Sequence, residues 1–228
     1  MNASVIVPLF NRCDLTEKCL LSLLDETLDP FDLVLVDNAS TDNTTLIDVT
    51  IRNPENYGFA RACNQGADRA SGDFIVFLNN DTEVHEGWLE ALLKPFEDPD
   101  VGITGGLLLY PSGDVQHAGV TVNFERPYGC EAKNITHDLG VGDYDCAAVT
   151  GACLAIRAGL FHELGGFDEG YWNGYEDIDL CLKATAEGWR IVFTPDCVVT
   201  HLESQSGPER WTAVKANVQR LRDRWEGR

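Results

Sequence analysis

Lysine is scarce in this chain: 5 of 228 residues, within a total of 17 Lys and Arg set against 37 Asp and Glu, a formal net charge of −20. Binding nucleic acid through its phosphates needs concentrated cationic side chains, so no nucleic-acid partner is expected. An acidic substrate would likewise be repelled unless a metal ion intervened. The same imbalance fits adaptation to high salt, where self-repulsion of a charged surface is screened. No apolar run approaches the roughly eighteen residues needed to cross a bilayer, and the N-terminus lacks the basic, apolar and small-residue order of a secretion signal. The expectation is a soluble, cytoplasmic chain. C-x-x-C pairs are missing too: the eight cysteines, at 13, 19, 63, 130, 146, 153, 181 and 197, sit singly and several lie in apolar runs. That pattern reads as reduced thiols acting as small hydrophobes and argues against a zinc site. With no internal repeat, no low-complexity linker and 44% hydrophobic residues, one compact domain is expected.

What is present points to an open α/β sheet. Ser4 to Val7, Leu33 to Val36 and Phe74 to Leu78 are short apolar runs rich in β-branched residues, the pattern of parallel strands covered on both faces. Between the first two, Asp14 to Glu26 carries Leu15, Cys19, Leu20, Leu23 and Leu24 at helical spacing, with Asp14 placed to cap the first turn. A second helix follows Asn56, with Ala60, Cys63, Ala67 and Ala70 as a stripe of small side chains, and Ser71-Gly72-Asp73 ends it. Glu86 to Phe96 reads as a helix and Val101 to Leu109 as a return to the sheet. From Tyr110 to Tyr144, Pro111, Gly113, Gly119, Pro127, Gly129, Gly140 and Gly142 break any long period, which predicts loops and short strands near a site. Val149 to Ile156 restores a strand, Ala158 to Leu164 and Asp177 to Glu187 are helical, and Trp189 to Phe193 and Val198 to Thr200 close the core.

The polar residues gather where such sheets bind ligands, just past the strands' carboxyl ends. Asp37, directly after the second strand, is placed to accept from a base or ribose hydroxyl, whereas Asp42 is better read as a helix cap. Asn79-Asn80-Asp81 closes the third strand with oxygen ligands suited to Mg²⁺ or Mn²⁺, hard cations that also bind diphosphate. His201, after Val198-Val199-Thr200, can join Asp81 through a neutral imidazole or be a polar surface residue. Glu176 and Asp177 fall in the first turn of a helix, where the dipole favours carboxylates. One can face a cleft while the other braces it, and an ionised carboxylate aimed at a bound hydroxyl is a general base; simple helix capping is the alternative. Around Gly165-Gly166-Phe167, core packing suits Phe167, while Trp172 and Tyr175 offer aromatic faces beside it.

Residues 209–228 form a separate C-terminal unit in this reading. Trp211, Val214, Val218, Leu221 and Trp225 recur three and four apart, with Lys215, Arg220, Arg222, Arg224 and Arg228 between them. An amphipathic, locally basic helix on an acidic protein admits three roles: packing on its own domain, contact with an anionic membrane surface at the inner face of the cell membrane, or self-association into a homo-oligomer.

Taken in order, Ser4 to Asn11, Val36 to Asp42, Asn56 to Gly66, Leu78 to Thr82, Thr150 to Arg157, Gly165 to Glu169 and Tyr175 to Asp179 resemble the family 2 glycosyltransferases, close to the rhamnosyltransferase-like branch. The resemblance spans residues 3 to about 203, within a 1–208 domain. It implies a GT-A fold, a three-layer α/β/α sandwich around a mostly parallel central sheet. It also implies an inverting transfer from a nucleotide-diphosphate sugar, dTDP-rhamnose or a UDP-sugar, to a hydroxyl of a glycan or lipid-linked glycan. By position, Pro8, Phe10, Asn11, Asp37, Asn38, Gly58, Asn64 and Asn80 would surround the nucleotide sugar. Asp81, His201 and Asn79 would hold Mg or Mn, Asp177 would act as the base supported by Glu176, and Trp172 and Tyr175 would meet the acceptor. One departure stands out: the family often has Asp-x-Asp where this chain has Asn79-Asn80-Asp81. A non-catalytic nucleotide-sugar-binding homologue is the alternative, disfavoured by the retained Glu176-Asp177 pair. A nucleotidyltransferase would need a basic, glycine-rich loop that Val7 to Asn11 does not supply.

Overall fold

The computed structural model describes residues 1–124, 131–137, 142–202 and 210–227. Pro127, Gly129, Cys130, Gly140, Arg228, the side chain of Trp211 and the 208/209 boundary lie outside the described residues. In chain order the strands are β1 (Ala3–Leu9), β2 (Asp32–Asp37), β3 (Ile51–Arg52), β4 (Phe74–Leu78), β5 (Thr82–Val84), β6 (Val101–Leu109), β7 (Val115–His117), β8 (Val120–Asn123), β9 (Glu131–Asn134), β10 (Tyr144–Asp145), β11 (Cys153–Arg157) and β12 (Arg190–His201). The helices are α1 (Cys13–Glu26), α2 (Phe59–Ala67), α3 (Trp88–Leu93), α4 (Ala158–Glu163), α5 (Glu176–Ala186) and α6 (Arg210–Trp225).

A single ten-stranded sheet runs β10-β12-β6-β11-β4-β1-β2-β3, with β5 on β12 and β7 on β6. β1 pairs parallel with β2 and β4, β2 with β3, and β6 with β12, while β11 lies antiparallel between β4 and β6. β1, β2, β3, β4, β6 and β12 therefore point the same way, and their carboxyl ends share one edge. Strand alternation sorts the apolar side chains into two cores. Ile6, Val34, Val36, Ile75 and Phe77 face α2, α4, α5 and α6, and Val5, Val7, Leu35, Val76 and Leu78 face α1 and α3. Three layers result, as expected for runs apolar on both faces.

The small-residue stripe of α2 does what its sizes suggest. Ala60, Cys63 and Ala67 are buried against the sheet, and a Cβ on Gly66 would lie 2.5 Å from Ile6 Cγ2. The helix can sit this close only without that carbon. The predicted pair of closing strands is one strand instead. β12 runs through to His201, with a shift in register against β6 between Thr194 and Val198. The extra residues form a bulge around Pro195, where a missing N–H costs no ladder bond. Asp14 does not cap α1 as anticipated. Arg12 takes the cap position in a left-handed conformation, and the N–H of Cys13 donates to the Asp42 carboxylate at 2.9 Å. Asp42 also accepts from Thr44 N at 3.0 Å, so one carboxylate caps its own short turn and a helix 29 residues away.

Candidate active site

Six segments of the chain, among others, converge at the carboxyl edge of the sheet on a cavity of about 200 Å³. Pro8 lies near the end of β1 and Phe10 and Arg12 follow it, Asn38 follows β2, Asn79, Asn80 and Asp81 follow β4, Gly151 precedes β11, Trp172, Asn173 and Gly174 precede α5, Glu176 and Asp177 open it, and His201 ends β12. The convergence is a consequence of topology: β1, β2 and β4 end at the same edge, and β12 brings His201 beside β5, where it pairs with Thr82.

Asp81 and His201 meet directly, with Oδ1 and Nε2 3.2 Å apart. Gln116 settles which imidazole nitrogen is protonated. Its amide nitrogen donates to the His201 carbonyl at 3.2 Å, so its oxygen must be the atom 2.6 Å from Nδ1. Nδ1 therefore carries a hydrogen, and in the neutral imidazole the Nε2 lone pair would face Asp81 and the cavity. Asn79 turns its amide nitrogen toward the same Nε2 at 3.4 Å. Asn80 donates to Thr16 Oγ1 at 2.9 Å, fixing the β4 turn onto α1. Among the described residues no group of three or more His, Cys, Asp or Glu forms a metal cage. One carboxylate oxygen plus one free imidazole nitrogen does, however, fit a divalent ion whose other positions are filled by diphosphate and water.

Asp177 lies in the first turn of α5. Its Oδ2 accepts from Gly151 N at 2.9 Å and its Oδ1 from Ile178 N at 2.8 Å. These bonds fix the carboxylate on the cavity wall. Glu176, more deeply buried at 5% exposure, accepts from Gly174 N at 2.7 Å. The two neighbours divide the work as helix geometry requires: both reach the cavity, and Glu176 also ties down the preceding loop. Trp172 stands over Gly58, where a Cβ would come within 3.1 Å of the indole.

Not every residue singled out in the sequence lines the cavity. Asp37 is fully buried; its Oδ1 accepts from Ser40 N at 2.9 Å and its Oδ2 pairs with Arg52. Asn38, one residue on, is the member of that segment on the wall. Asn11 braces the neighbouring loop, accepting from Thr41 N at 2.8 Å while its own N–H donates to Ser40 Oγ at 2.8 Å. Asn64 clamps the turn before Asp168 through paired 2.9 Å bonds with Phe167 N and O. Gly58, with φ of 81° and ψ of 169°, caps α2, and Tyr175 is the left-handed cap of α5. Phe167 is core, its ring 4.7 Å from that of Phe77. Arg12 is the charged cavity residue, among those described, that sequence reasoning passed over. It stands beside Asp14 at 3.1 Å, and an arginine directly past the carboxyl end of β1 was the available signal.

Among the described residues the fixed charges of the wall are three carboxylates, Asp81, Glu176 and Asp177, against one guanidinium, Arg12. Thiols contribute little to this chemistry: burial raises Cys19, the one nearest the β4 turn, to about 12, which keeps it protonated.

The family model for glycosyl transferase family 2 matches residues 4–165, and the chain belongs to that family. It is 36% identical over 225 residues to the O-antigen biosynthesis protein RfbC of Myxococcus xanthus, a match covering 89% of this chain and 17% of that protein. The chain thus spans about a sixth of that relative's length. Among solved structures, GalNAc-T7 with UDP, GalNAc and Mn²⁺ superposes with a TM-score of 0.76 at 20% identity, covering 100% of this chain and 48% of that one. The mannosyltransferase PcManGT from Pyrobaculum calidifontis, in complex with GDP-Man and Mn²⁺, gives 0.71 at 22% identity over 98% of this chain and 65% of that one. These likenesses establish the GT-A-like fold. No described helix is long and apolar enough to cross a membrane.

Proposed function

We propose that this chain is an inverting glycosyltransferase that moves a sugar from a nucleotide-diphosphate donor, dTDP-rhamnose or a UDP-sugar, to a hydroxyl of a glycan or lipid-linked glycan. The observation that carries the reading is the placement of the Asp81–His201 pair and the Asp177 carboxylate on one cavity wall system at the carboxyl edge of the sheet. Family membership and the nucleotide-sugar and Mn²⁺ complexes of the two structural neighbours support it, and RfbC's role in O-antigen biosynthesis supports a glycan acceptor.

The wall's excess of carboxylates would repel a diphosphate, which is the physical reason to expect a cation there. Asp81 Oδ1 and His201 Nε2 would hold it, and Asn79 could add its amide oxygen after turning over. When bound, Mg²⁺ or Mn²⁺ supplies Lewis-acid neutralisation of charge on the departing diphosphate. Arg12 adds the wall's own positive charge, Asn38 and the residues around Phe10 border the nucleoside, and Trp172 presents its face to the acceptor sugar. Asp177 takes the acceptor hydroxyl's proton as the oxygen bonds to the anomeric carbon and the bond from that carbon to the diphosphate oxygen breaks. One displacement inverts the centre and needs no covalent enzyme intermediate.

A panel of nucleotide sugars, screened for thermal stabilisation and hydrolysis with and without Mn²⁺, tests the donor and metal assignments. In Asp177→Asn the side chain keeps its size while the base is lost. Turnover is expected to fall on the order of 10²- to 10⁴-fold with Mn²⁺-dependent nucleotide binding retained. Undiminished turnover, or full activity after thorough chelation, would refute the assignment.

A further inference from the structure

The C-terminal helix has no part in the chemistry above, yet it holds the loop that does. Asn217, on α6, is 3% exposed and spends its whole amide on that loop. Its oxygen accepts from Trp172 N at 3.3 Å, and its nitrogen donates to Trp172 O at 3.0 Å and Gly174 O at 2.9 Å. The loop needs holding. Asn173, Gly174 and Tyr175 follow one another with φ of 48°, 149° and 76°, a run of left-handed backbone that non-glycine residues adopt at a cost and keep only when their surroundings impose it. On either side α6 is pinned to the same stretch of chain. Arg220 forks onto Asp168 at 2.8 Å, Arg224 bridges Asp168 and Asp179 at 3.2 and 3.1 Å, and the Trp225 indole N–H donates to Asp179 at 2.7 Å. Asp179 lies in the same first turn of α5 as Asp177.

We propose that α6 is a brace for the active-site loop and that Asn217 is its positioning residue, setting the shape of residues 172–175 and so the placement of Trp172, Glu176 and Asp177. This rests on the reading of the cavity as a glycosyl-transfer site. It assigns Arg220 and Arg224 of the basic face to Asp168 and Asp179, and the polar member of the buried face to the loop backbone.

The decisive variant is Asn217→Asp, which keeps the size and the acceptor for Trp172 N but turns an oxygen toward the carbonyls of Trp172 and Gly174. Asn217→Ala removes all three bonds, Leu221→Ala empties a buried position of α6 while leaving the three Asn217 bonds in place, and Lys215→Ala is an exposed control. Amide exchange of the 168–179 segment, Mn²⁺-dependent binding of UDP and dTDP, and hydrolysis of whichever nucleotide sugar the wild type accepts are measured together. Asn217→Asp is expected to speed exchange and to lower kcat at least about tenfold, with KM for the nucleotide sugar within about twofold of wild type. Lys215→Ala should match wild type. Unchanged exchange and kcat in Asn217→Asp would overturn the proposal, as would an equal loss of kcat in Leu221→Ala at equal thermal stability. A wild-type protein that binds neither nucleotide would instead sink the underlying functional reading.

Discussion

Gln116 offers a sharp test of the metal assignment, because it controls His201 without reaching the cavity. The side chain is 4% exposed and both ends of its amide bond His201, one the ring and the other the backbone. Replacing it with Leu removes both partners at once. The Nδ1 hydrogen would be left buried and unbonded, at a cost of about 1–3 kcal/mol. The ring escapes this cost by moving its proton to Nε2 or by rotating, and either response takes the lone pair away from Asp81. Loss of an outer partner of a ligating histidine lowers metal affinity roughly 10- to 100-fold, about 1.4–2.7 kcal/mol.

Gln116→Glu separates tautomer from packing. A carboxylate at the same place still accepts from Nδ1–H and holds the Nε2 lone pair on the cavity side, although it forfeits the bond to the His201 carbonyl. The expected order of Mn²⁺ affinity is therefore wild type and Gln116→Glu together, with Gln116→Leu weaker by at least about tenfold. Electron paramagnetic resonance of free Mn²⁺ in a titration, with and without UDP or dTDP, reads this without any turnover assay. Equal Mn²⁺ affinity in wild type and Gln116→Leu would refute the argument that the fixed tautomer of His201 makes the ligand.

Two further outcomes follow from charge. Burial lowers His117 from 6.5 to about 4, so between those values the unfolded chain takes up a proton that the folded chain refuses. Its contribution is complete above about pH 6.5 and is lost as pH falls through the window, amounting to about 3 kcal/mol. The stability gap between wild type and His117→Gln, measured by urea unfolding, should shift against wild type by about 2–3 kcal/mol between pH 7 and pH 4.5; a constant gap would contradict it. The net charge of −20 predicts a melting temperature that rises from about 0.1 M to about 2 M KCl as repulsion is screened. A flat or falling curve would remove the high-salt reading.

The strands and most helices were legible because their signal is local. Val101 to Leu109 and Phe74 to Leu78 are apolar on both faces and appear as β6 and β4 with the expected limits. What was not legible depends on who meets whom. A single sequence shows Asp37 after a strand but not Arg52 arriving from β3 to engage it. It shows Asp14 beside a helix start but not Asp42 crossing 29 residues to cap it. It places Trp172 near a cleft, yet gives no sign that Asn217, 45 residues later, holds its backbone. Gln116 was hidden for the same reason: in a stretch broken by Pro111, Gly113 and Gly119, no period marks it as buried.

The departure from Asp-x-Asp can be understood from these contacts. His201 brings an imidazole nitrogen to the side of Asp81 where a second acidic ligand would otherwise be useful, and Asn79 sits 3.4 Å from that same nitrogen. A carboxylate at 79 would add a fourth negative group to a wall whose positive charge, among the described residues, comes from Arg12. It would also lie next to Asp81 at the end of a buried strand, where like charges disfavour joint ionisation. Trading that carboxylate for an amide gives up some attraction for the cation but reduces repulsion of the diphosphate. In a chain this acidic the second term grows in importance, because the surrounding field already favours cations and opposes anions. In the proposed metal site, a histidine nitrogen whose Nδ1 hydrogen is held by Gln116 would supply coordination without adding a negative charge, so that one carboxylate would suffice.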